Sequence, residues 1–220
     1  MSLILSKSPA GTAEVVTQAV QRAHRAKFSR RSALGGGTPA VVTPVAPLPV
    51  YLLGLKQVTN SLGLASARSV GWQSLILQGK NPVAAVDFDS DTSGNASKSK
   101  SYSQGAQVGS VAAALAVAEA LPQVAAANYE PRLLQAPAIN LLALWLHGAQ
   151  DVLIPLDPAP GTFKPYVTYE PKLFFELAAK LATHHLFDDR PQPLAGEKPD
   201  LTQNPDHNPD DEEPPLSAAG

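Results

Sequence analysis

The chain has 220 residues, no cysteine, a net charge of −2 and 44 % hydrophobic residues, among which 34 are alanine. Those totals exclude disulfides, thiolate zinc sites and thiol nucleophiles, and no run reaches the ~18 consecutive apolar residues of a membrane span. The small net charge conceals a separation: residues 1–31 carry +5 (six Lys/Arg against Glu14), residues 32–187 are neutral, and residues 188–220 carry −7 (nine acidic against two basic).

Residues 1–47 read as a basic helical arm and a linker. Thr12 stands at a helix-cap position, and Val16, Val20 and Ala23 then recur on one face with Arg22 and Arg25 elsewhere, which predicts a helix over 12–28. Arg30-Arg31 sits in a twin-arginine-like context, but an export signal needs an uninterrupted apolar segment next. Here Gly35-Gly36-Gly37 is followed by Pro39, Pro44, Pro47 and Pro49, so the reading is a basic helix end running into an extended linker.

Residues 48–187 hold enough large apolar side chains for a single globular domain. A strand is expected over 50–58. Apolar runs at 72–78 and 83–88 flank Gly79-Lys80-Asn81-Pro82 and predict a hairpin. Residues 90–103 are mostly Asp, Ser, Lys, Gly and Asn and read as a mobile polar loop. A helix over 104–121 places Val108, Val111, Leu115 and Ala118 on one side and stops at Pro122. Residues 139–146 are almost wholly apolar, which fits a strand covered on both faces; the chain turns at 147–150 and returns over 151–155 as a second hairpin. A last helix begins at Pro171 and stacks Leu173, Leu177 and Leu181 beside Phe174. Residues 188–220 are acidic and Pro-rich, too poor in apolar side chains to offset the entropy of ordering, and predict a disordered tail.

The resulting fold expectation is α+β: an antiparallel sheet of two hairpins plus one further strand, with the two later helices against one face. The second face of 139–146 then needs cover from a homodimer or from the amino-terminal arm.

Several residue groups are candidates for chemistry. Asp87, Asp89, Asp91 and Asn95 fall at positions 1, 3, 5 and 9 of a calcium-loop pattern, but Thr92 replaces the required Gly and Lys98 the required bidentate Glu. His184-His185 and Asp188-Asp189 are zinc-type residues, yet adjacent helical positions project about 100° apart and cannot share one ion. His147, beside Trp145, is explained as a turn residue. Arg22, Arg25, Lys27, Arg30 and Arg31 offer phosphate contacts without the aromatic platforms of a nucleic-acid site. No catalytic, cofactor or metal residue is assigned, and neither nucleic acid nor membrane is an expected partner. The expected function is a cytoplasmic, non-enzymatic protein- or peptide-binding protein, acting through a sheet edge or apolar groove with its charged termini tuning the contact. The alternative is an enzyme whose site assembles from Asp87, Asp89, His147 and His184, which requires a pocket bringing at least two of them together.

Overall fold

The computed structural model describes residues 3–25 and 42–188, without the side chains of His24, Val42 and residues 184–188. Lys27, Arg30, Arg31, the three linker glycines and the tail from Asp189 onward lie outside the described residues. In chain order the elements are α1 (Thr12–Arg25), β1 (Val42–Pro44), β2 (Leu48–Leu52), α2 (Leu55–Thr59), β3 (Arg68–Gln78), β4 (Asn81–Ser90) and β5 (Ala96–Ser103). There follow α3 (Ala106–Glu119), α4 (Pro122–Ala126), β6 (Glu130–Ala136), β7 (Leu141–His147), β8 (Val152–Pro155) and α5 (Pro171–Asp188).

Among the described residues the strands form one mixed sheet in the order β5-β4-β3-β2-β6-β7-β8, with β1 also paired to β3. Every pairing is antiparallel except that of β2 with β6. The β3–β4 hairpin closes on Gly79-Lys80, where Gly79 takes φ +63° at no steric cost. A second glycine is demanded by the sheet itself. Gly71 sits at φ +140°, and a Cβ there would lie 2.6 Å from the Phe88 carbonyl oxygen.

The pleat sorts the core into two sides. Val50, Leu75, Ala85, Leu133, Leu142, Leu144 and Leu146 face α3, which buries Val108, Val111, Ala114 and Ala118 against them. Leu134, Leu141, Ala143, Trp145 and Leu153 face the other way, onto Phe174, Phe175, Ala178 and Ala182 of α5. On that same side, farther along the sheet, Val16, Ala19 and Val20 of α1 cover Ile76, Ala84, Val86 and Phe88. All residues of β7 but His147 are buried. Burying Leu142, Leu144 and Leu146 contributes roughly 5–9 kcal/mol at most, since the unfolded chain already shields part of that area.

The α+β class stands, but the described sheet has eight strands and one parallel pair where five antiparallel strands were expected, and five further expectations change in detail. Helices α3 and α5 lie on opposite faces, not one, so β7 receives its two-sided cover within the chain. The 50–58 segment is a strand only to Leu52; Gly54 interrupts it and α2 follows. Residue 139 closes a short 3-10 turn, and the strand starts at Leu141 after Asn140 in the left-handed region at φ +50°. The segment read as a polar loop holds β5, a strand that owes its place to the β4 ladder and not to burial. In α5 the buried stripe is Phe174, Ala178 and Ala182, while Leu173 is 48 % exposed. The helical period permits either stripe, and the aromatic one wins because Phe174 packs on Phe163 with ring centroids 5.0 Å apart.

Candidate functional site

The carboxylates of the calcium-like pattern each have their own partners. Asp87, on β4, accepts hydrogen bonds from Gln73 Nε2 (2.8 Å) and from the Ser101 hydroxyl. Asp89 pairs with Lys100 Nζ at 2.6 Å, and the same ammonium donates to the Val70 carbonyl. Asp91 stays in the β4–β5 turn, where it accepts the backbone N–H groups of Ser93 (2.8 Å) and Asn95 (2.9 Å). The Asn95 N–H is foremost in holding this exposed carboxyl below its ordinary range. A hard cation needs oxygens converging on one point; here the side chains fasten a bulged hairpin. Among the described residues no group of three or more His, Asp or Glu is arranged to hold a metal ion. The side chains of His184, His185 and Asp188, together with Asp189, lie outside the described set.

His147 ends β7 on the other wing of the sheet, four strand spacings from Asp87, or about 19 Å. Its Nδ1–H donates to Asp151 Oδ1 at 2.8 Å, and the same oxygen receives the Gly148 N–H. Beside it, Arg132 donates to Glu130 Oε2 at 2.9 Å. The Arg132 Cζ lies 5.1 Å from the Tyr51 ring centroid and 4.8 Å from that of Trp145. Glu130 also accepts the Ser6 hydroxyl, and the Ile4 N–H donates to the Tyr129 carbonyl, so the cluster ties the amino-terminal strap to β6. Burial pushes the Glu130 carboxyl upward, but the bonds from Arg132 and Ser6 and the nearby positive charge outweigh it and leave a net lowering. This is a clamp in which each charge has an opposite partner, although Arg132 Nε and Trp145 Nε1 are buried without a hydrogen bond among the described residues. The adjoining cleft of about 510 Å³ is lined by Tyr129, Asp151, Glu170 and Lys172 and contains none of Asp87, Asp89 and His147. Asp87 and Asp89 share β4, each held by its own partners, and His147 stands on the far wing from both.

The two margins of the sheet differ. Along β8, Leu153 and Tyr169 exchange both backbone hydrogen bonds (3.0 and 2.8 Å), which closes that margin at its centre. Along β5, the Ala10–Asn95 bridge and the Ala96 N–H to Ala10 carbonyl bond occupy only the start. Past that point no described residue pairs with the outer edge of residues 97–101. Helix α1 runs beside the strand, held by Arg22 Nη2 donating to the Ser99 hydroxyl at 2.6 Å. Between them lies a groove of about 300 Å³ lined by Ala19, Arg22, Ala23 and Ser99–Tyr102. Sequence reasoning passed over this edge because its open hydrogen-bonding groups are backbone amides, and its Ser/Lys composition lacks the apolar alternation that marks a strand.

Compared with family models, curated proteins and solved structures, the chain matches none.

Proposed function

We propose that this chain is a binding protein that takes up an extended segment of a protein partner as an additional strand along β5. One observation carries the reading: of the two sheet margins, β8 is closed by Tyr169 while residues 97–101 of β5 present backbone donors and acceptors with no partner among the described residues. Strand addition gives affinity through main-chain bonds and needs no catalytic constellation. At about 1 kcal/mol net per bond, so short an edge supports a reversible contact, to which side chains add specificity.

The test is selection from a displayed library of random octapeptides, followed by amide hydrogen exchange on the protein with a selected peptide bound. The expected result is new protection at residues 97–101, with β6 and β7 unchanged. Proline at whichever of Ser97, Ser99 or Ser101 points its N–H outward should abolish binding with little loss of thermal stability. Protection appearing elsewhere, or no peptide enriched, would overturn the reading.

A further inference from the structure

We infer that the strand accepted at β5 is acidic, an inference that rests on the edge-pairing function proposed above. The edge is built from two elements, β5 and the last two turns of α1. Together they carry Arg22, Arg25, Lys98 and Lys100 and no carboxylate. Among the described residues only Lys100 has a counter-charge, through Asp89 on β4. Arg22 spends one Nη on the neutral Ser99 hydroxyl and its Nε on the Gln18 carbonyl, so its charge meets no carboxylate in the described structure. Lys98 and Arg25 form no ion pair there either.

Cross-strand pairs of opposite charge stabilise a ladder, and like charges directly opposite destabilise it. A second copy pairing β5 to β5 would set Lys98 and Lys100 of one chain against those of the other. The same lysines that deter self-pairing, a common device on exposed edges, select a partner rich in Asp and Glu. The groove beside Ser99 gives such a residue a place, with Arg22 on its wall and the small Ala19 and Ala23 leaving room for the side chain.

The experiment extends the octapeptide selection to composition and charge. Enriched peptides should contain Asp or Glu well beyond the input library. Replacing their acidic residues by Asn or Gln should weaken binding, as should Arg22→Gln or Lys98→Gln in the protein, by about threefold for each pair lost. Raising the salt concentration should weaken the acidic peptide far more than its neutral counterpart. Protection at residues 97–101 by peptides with no acidic bias would overturn this inference and leave the edge-pairing function standing. Absence of protection there would overturn both. A dimer whose β5 amides are protected without any peptide would also overturn it, since the edge would then belong to a second copy.

Discussion

Replacing Arg132 by methionine removes a cation while keeping a long apolar stem, and it probes the clamp that joins β6, β7 and the amino-terminal strap. Two ring contacts are lost, at 5.1 Å on Tyr51 and 4.8 Å on Trp145, together worth about 1–3 kcal/mol in a partly desolvated setting. The charged bond to Glu130 is lost as well, worth about 1.5–3 kcal/mol. Against this, Arg132 Nε is buried without a hydrogen-bond partner, and methionine relieves that cost of about 1–3 kcal/mol. The net expectation is a loss of about 2 kcal/mol at pH 7, read by urea titration with tryptophan fluorescence. The pH dependence carries a second signature. Glu130 is lowered in the folded chain, so its contribution is present above the ordinary glutamate value and disappears as pH falls through the lowered one. In R132M that contribution shrinks, and the gap between the two proteins should narrow as pH drops below about 4.5. An R132M protein as stable as the parent at pH 7, or a gap that widens in acid, would refute the clamp.

Two further substitutions test the frame. Gly71→Ala places a methyl 2.6 Å from the Phe88 carbonyl in a backbone region that side chains rarely adopt; a loss of about 2–3 kcal/mol is expected by thermal unfolding, and an unchanged melting temperature would contradict the β3–β4 geometry. Val16→Ala removes apolar bulk from a position 1 % exposed under α1. It should cost about 2 kcal/mol and speed tryptic cleavage after Arg22 and Arg25, whereas an α1 standing free of the sheet would leave both measurements unaltered.

What could be read in advance was whatever burial writes into residue type. Residues 141–146 announce themselves because a strand covered twice needs apolar side chains at every position, and Val108, Val111 and Ala118 declare α3 through their spacing. The side on which each helix lands is not written that way. A helix with one apolar stripe packs equally well above or below a sheet, and only the crossover paths placed α3 opposite α5. In β6 the Glu130-Pro131-Arg132 start masks the strand, since Glu130 and Arg132 serve the clamp. For β5 the reason is more basic. The unpaired groups at residues 97–101 are peptide groups that every residue type possesses, so composition carries almost no trace of them. The candidate site was legible only as charge, in the lysines and in the arginines of α1.

Tyr169 has an effect reaching past the single molecule. Edge-to-edge stacking of copies into a fibre requires two unsealed flanks, one to offer and one to receive. With β8 closed at its centre, a copy joined through β5 has no second flank to offer. Any pairing of copies should thus end at two chains, and unsealing the capped flank would turn a terminating unit into one able to propagate.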